Sequence, residues 1–89
     1  MSAPAAESGT LRLPPQVDAA AAGALYRAAA ARISTLEAID FGAVRQIDSA
    51  GVALVLALRA LRGAPIQLRS VPARFETLCL AHRVSLGSE

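Results

Sequence analysis

Hydrophobic and polar positions along the chain follow two periods, one typical of strands and one typical of helices. Short stretches of alternating or continuous apolar residues, bounded by Gly or Pro, predict strands. Longer stretches without Pro, in which apolar residues recur every three to four positions, predict helices. The predicted elements are, in chain order, strand 10–13, helix 19–33, strand 36–41, helix 50–62, strand 65–69 and helix 73–82.

This order predicts the fold class. Strands that alternate with helices through short connections indicate parallel pairing with right-handed crossovers. Three short helices cannot cover both faces of the sheet, so we expect an α/β fold in which a small sheet carries its helices mainly on one face. Residues 1–9 are small and polar and are predicted to form a flexible tail, and 10–89 are predicted to form a single domain.

The start of the middle helix concentrates polar and unusual residues. Ser49 is predicted to cap this helix, because its hydroxyl can accept from a free N–H of the first turn. Asp48 places a negative charge at the positive end of the helix dipole. Gly51 costs about 1 kcal/mol of helix propensity relative to Ala, which is tolerable where another backbone or a partner comes close. Asp48, Ser49, Ala50 and Gly51 are therefore candidate contact residues.

The helical wheel of the same element predicts which side faces the sheet. At 100° per residue, five small or apolar residues share one broad face and are expected to lie on the sheet. Val52 and Val55 then fall on the opposite side, beside Arg59 and Arg62. We predict a partner-binding surface there, with the valines at its centre and the arginines as a charged edge. The alternative is that a neighbouring helix covers the valines. The face predicted to lie on the sheet comprises Ala53, Leu54, Ala57, Leu58 and Leu61.

Composition excludes several classes of function. The net charge is +2, and the nine arginines do not cluster with aromatic residues, which argues against nucleic-acid binding. Cys79 and His82 are the only cysteine and the only histidine, so neither a disulfide nor a zinc site is expected. No signal peptide is recognised, and the apolar run 50–58 is too short to span a membrane. We expect a cytoplasmic protein without a metal or cofactor.

Catalytic motifs are also missing from the sequence. No glycine-rich phosphate loop and no G-x-S-x-G turn is present. A hydrolase built from Ser49, His82 and Asp48 is discounted, because Asp48 adjoins the serine. Cys79 is expected to be a core residue and His82 to interact with its helix dipole alone. We therefore expect that the chain is not an enzyme.

One stretch resembles a known family. Residues 39–51 have the sequence IDFGAVRQIDSAG, which is similar to the signature of STAS domains: an apolar strand, Asp, a turn and then Asp-Ser-small-Gly opening a helix. The resemblance continues in 11–18 and in 68–72 with the helix that follows, so that it covers 10–84. The chain is most like the STAS subunit of Mla (maintenance of lipid asymmetry) phospholipid ABC transporters, and it is also similar to anti-sigma factor antagonists.

This resemblance implies a function based on protein binding. The partner it implies is the cytosolic ATPase of the transporter or, in the alternative, an anti-sigma factor kinase. Ser49 would be a phosphorylation or partner-contact position, although a helix cap alone explains it too. Asp18 is a good cap for the first helix, and the family fold would place it beside the Ser49 loop. The implied location is the cytoplasm, or the inner face of the inner membrane where the partner holds the subunit there.

Overall fold

A computed structural model describes residues 9–82 of the chain, and the predicted α/β fold is confirmed in it. All six predicted elements are present, and Gln16–Val17 and Gln46–Ile47 add a further pair of short strands. The prediction of a flexible tail falls on residues 1–8, outside the described part, and on Gly9, whose carbonyl accepts from Glu37 N–H at 2.8 Å. The elements are β1 (Thr10–Arg12), β2 (Gln16–Val17), α1 (Ala19–Ala30), β3 (Ala38–Asp40), β4 (Gln46–Ile47), α2 (Ser49–Arg62), β5 (Gln67–Arg69) and α3 (Ala73–Ala81).

The strands form two parallel sheets. β1, β3 and β5 make a three-stranded sheet with β3 in the middle, and β2 pairs with β4 beyond it. β1 and β2 come from one chain segment and β3 and β4 from another, with Pro14 and Pro15 between β1 and β2. Because proline has no N–H to donate, the regular ladder stops there. The Pro15 carbonyl still accepts from the N–H groups of Arg45 and Gln46, at 2.7 and 2.9 Å.

The helices cover one face of the three-stranded sheet. Leu11 and Ile39 lie in register on the covered face and are buried in the core. Arg12, which follows Leu11, and Gln67 and Arg69, which flank Leu68, alternate to the other face and are exposed, whereas Ala38 on that face is buried. The rings of Phe41 and Phe75 meet in the core, with centroids 4.7 Å apart and planes inclined by 51°. The sheet and α3 are thereby joined by a tilted aromatic pair.

The first helix is shorter than its pattern predicts. α1 ends at Ala30, and Ile33–Thr35 forms a separate 3₁₀ turn before β3. Ala29 is buried, while Leu25 and Ile33 pack on the core as partly buried residues. The alanine-rich sequence gives no signal for the end of α1, because alanine continues a helix more readily than any other residue.

Candidate functional site

The N-terminus of α2 is capped by Asp48 rather than by Ser49. The Asp48 carboxylate accepts a hydrogen bond from Ala50 N–H at 2.8 Å, and its backbone is extended as in an N-cap. Ser49 is already the first helical residue. The prediction of a Ser49 cap was wrong by one position, because either side chain can accept from the first turn. The Ser49 hydroxyl is therefore available for another contact.

Gly51 is required by close packing inside the protein. A Cβ atom at this position would lie 2.5 Å from two side-chain carbon atoms of Ile47. Gly51 is buried and Ala50 is half-buried. The close neighbour of this glycine is thus the Ile47 side chain and not another backbone or a partner, as the sequence predicted, and Gly51 is not exposed for contact with a partner.

Val52 and Val55 belong to the core, so the predicted partner surface centred on them was wrong. Their exposed fractions are 4% and 2%. They share the inner face of α2 with Leu54 and Leu58, which are 3% and 0% exposed. The true inner face is rotated by about 100° from the predicted one. The error arises because alanine fits either side of a helix, whereas a branched side chain gains more from burial.

The two arginines of α2 do not form a free charged edge. Arg62 is half-buried, and its Nη1 donates to the Ser34 carbonyl at 2.9 Å, which ties the end of α2 to the 3₁₀ turn. Its Nε is buried without a hydrogen-bond partner within residues 9–82. Arg59 is also half-buried and acts electrostatically on Cys79 of α3. Both side chains serve contacts within the domain.

The solvent-facing side of α2 is apolar. Leu56 is 41% exposed and Leu61 45%, and no charged residue stands between them on this side. Exposed leucines on a helix that already buries its other side mark a candidate contact surface. We call this surface the outer face of α2, and it consists of Ser49, Ala53, Leu56, Ala57, Ala60 and Leu61.

Ser49 and His82 lie together at the N-terminal end of this outer face. The Ser49 Oγ is 3.2 Å from Nε2 of His82, the residue that follows α3, and both side chains are exposed. The expectation that His82 interacts with the helix dipole alone was therefore incomplete. The two residues are 33 positions apart, and no local signal in the sequence indicates that they meet.

Asp18 and Asp48 line one open cleft where β2 and β4 end. Asp18 caps α1 as predicted, its carboxylate accepting from Ala21 N–H and from the Gln16 side chain, both at 2.9 Å. Two hydrogen bonds lower the pKa of Asp18: the one from Ala21 N–H has the larger effect and the one from the Gln16 amide the smaller, while desolvation opposes both.

The cleft holds about 410 Å³. It is lined by Gln16, Val17, Asp18, Arg45, Gln46, Ile47, Asp48 and Arg74.

Cys79 lies on the buried face of α3, as predicted from its helical position. It is 2% exposed. Burial raises the pKa of its thiol, Glu76 adds to the effect and Arg59 partly offsets it. The thiol is thus kept protonated and covered, as expected for a core residue.

Neither a candidate metal-ligand cluster nor a candidate membrane span occurs in residues 9–82. Within residues 9–82, no three His, Cys, Asp or Glu side chains are grouped closely enough to hold a metal ion. The helices of the described part are also too short, or too polar, to cross a membrane.

Comparison with known proteins gives one match. A family model described as "Mlab, STAS domain" matches residues 2–85, which includes every element described above. No curated protein matches the chain, and no solved structure matches it either.

Proposed function

Because the chain belongs to the STAS domain family, we propose that it is a non-catalytic subunit that binds a protein partner through the outer face of α2. Family membership supports a role in protein interaction. The observation that carries the proposal is the pair of exposed leucines, Leu56 and Leu61, on an uncharged helix side. A partner that covered them would remove apolar surface from water without having to desolvate a charge.

The partner we propose is the cytosolic ATPase of an Mla-type phospholipid ABC transporter, which this subunit would support from the cytoplasmic side. This choice rests on the likeness of residues 39–51 to the Mla-type signature, and the family model that matches the chain is described as "Mlab, STAS domain". The subunit then works in the cytoplasm, or at the inner face of the inner membrane where the ATPase is attached.

A second candidate is an anti-sigma factor antagonist regulated by phosphorylation of Ser49. One observation favours it: Ser49 is exposed at the first position of a 14-residue helix. A phosphate there would meet the positive end of the helix dipole and would add charge to the tip of the outer face.

We also propose that the domain is not catalytic. Ser49 and His82 are hydrogen-bonded, but the carboxylate nearest in sequence, Asp48, is occupied by Ala50 N–H. A serine hydrolase needs a third group that orients the histidine. Turnover of esters or nucleotides by the purified domain that is lost in Ser49→Ala would contradict this part of the proposal.

The proposal is tested by measuring affinity for the purified ATPase subunit of an Mla-type transporter from the same organism. Ala57→Arg and Leu56→Asp each place a charge on the outer face of α2, and we expect each to weaken binding at least tenfold. Ala24→Arg is the matched control, since it makes the same change on the exposed side of α1. All three variants should remain folded.

The two partners are separated by the same assay. Binding of an anti-sigma factor kinase instead of the ATPase, with loss of binding on phosphorylation of Ser49, would support the second candidate. Normal binding by folded Ala57→Arg and Leu56→Asp variants would exclude the outer face of α2 as the contact surface for either partner.

A further inference from the structure

The last turn of α3 has few interactions that hold it in place. α1 and α2 each begin with an aspartate cap, but Pro72 gives α3 no side-chain cap. The helix is nine residues long and ends without a left-handed glycine, since His82 has φ −97°. Leu80 is 77% exposed, so it adds little to the packing of this turn. Neither a cap nor Leu80 holds this turn, so the other residues at the end of α3 must do so.

Among residues 9–82, packing and hydrogen bonds together hold this turn, and Leu78 packs against the core as a partly buried residue. Cys79 is buried in the core. His82 N–H donates to the Leu78 carbonyl at 3.1 Å, and the His82 side chain meets the Ser49 hydroxyl. The Ser49–His82 contact joins the end of α3 to the start of α2, while Cys79 lies three residues earlier on α3. Cys79 thus lies in the same turn of α3 that leads into His82, so opening of this turn would expose the thiol.

We propose that the Ser49–His82 hydrogen bond is a latch between α2 and α3. While it is formed, the last turn of α3 stays on the domain and Cys79 is covered. A partner group that takes the Ser49 hydroxyl breaks the latch, and the last turn of α3 then opens more often. The latch links Ser49, on the outer face of α2, to the end of α3. This conformational role goes beyond the proposed binding function.

The chain contains its own reporter for this latch. Cys79 is the only cysteine, and it is buried. Its rate of reaction with a thiol reagent such as dithiobis(nitrobenzoate) measures how often the last turn of α3 opens. The neighbouring groups that act on the thiol, Arg59 and Glu76, stay the same in every variant below.

Ser49→Ala and His82→Ala are each expected to raise the Cys79 labelling rate roughly three- to tenfold, the effect of losing one hydrogen bond. The double variant should label no faster than either single variant, because both remove the same interaction. Ser49→Thr and His82→Gln keep groups that can form the hydrogen bond, and they should label close to the wild-type rate. Thr77→Ala, on the exposed side of α3, is the control and should also match the wild type.

The latch is overturned if either alanine variant labels at the wild-type rate, or if the two effects multiply in the double variant. Circular dichroism must show an intact fold in all variants. These experiments need only the isolated chain, so their failure leaves the proposed partner untouched. Equally, failure to bind the ATPase would leave the latch standing.

Discussion

At the scale of single residues, Val55 and Leu56 are neighbours in sequence, but Val55 is buried and Leu56 is exposed. We expect Val55→Asp to unfold the domain, because it places an unpaired carboxylate in the core at a position that is 2% exposed. The expected loss in the free energy of unfolding is above about 4 kcal/mol. Leu56→Asp, at a position that is 41% exposed, should leave the domain folded.

Thermal unfolding followed by circular dichroism checks this pair. A folded Val55→Asp variant with a wild-type melting temperature would mean that the inner face of α2 is wrongly assigned. The comparison is well controlled, since the same residue is introduced at adjacent positions of one helix.

The residue scale is also where prediction from sequence was weakest. The pattern located the important helix, but it could not decide which side faced inward, because Ala53, Ala57 and Ala60 fit either environment. The contact between Ser49 and His82 depends on the distance between the start of α2 and the end of α3. Packing of the whole core sets that distance. By contrast, Asp18 was identified as a cap correctly, because a cap is a local interaction.

At the scale of elements, α2 depends on Asp48 for its start. Asp48→Ala removes the acceptor for Ala50 N–H and is expected to cost about 1 kcal/mol in the free energy of unfolding. Asp48→Asn should retain most of this stability, because asparagine is an equally good cap. Denaturant titration of both variants measures the difference. Equal losses in Ala and Asn variants would show that the charge, and not the cap, stabilises the helix.

α1 should become less stable in acid because of its own cap. The folded pKa of Asp18 lies below its ordinary value, so the unfolded chain takes up the proton more readily. The stabilisation is present above about pH 4 and is lost as the pH falls through the folded pKa. Asp18→Asn keeps a cap that does not titrate.

Urea unfolding at pH 7 and at pH 3 tests this dependence. The wild type should lose more stability between these two values than the Asp18→Asn variant loses. An identical loss in both proteins would show that Asp18 does not contribute to the acid sensitivity.

Element limits were predicted well where the sequence carries a chemical signal. α2 was predicted at 50–62 and spans Ser49–Arg62, since Gly63 supplies the left-handed residue that ends it, with φ 68°. The strands β2 and β4 were missed, because two residues each are too few to show a period. Their pairing depends on tertiary contacts that bring distant segments side by side.

At the scale of the whole molecule, the order of elements was enough to predict the architecture. Strands that alternate with helices through short connections favour a parallel sheet with crossovers, and all three strand pairs in the described residues are parallel. The order of the strands follows less directly. β3 lies between β1 and β5, so the chain segment that leads into α2 provides the middle strand of the sheet. This position brings the ends of β2 and β4, with their aspartate caps, to one cleft.

β5 forms one edge of the three-stranded sheet, and its sequence bears on solubility. An unpaired edge exposes backbone groups on which strands of other molecules can add, the first step of fibrillar aggregation. β5 spans Gln67–Arg69, follows Pro65 and is followed by Ser70, whose φ of 56° turns the chain away. So short an edge, with arginine and glutamine side chains, is a poor template for such growth. Strand addition at β5 should therefore contribute little to contacts between copies at high concentration.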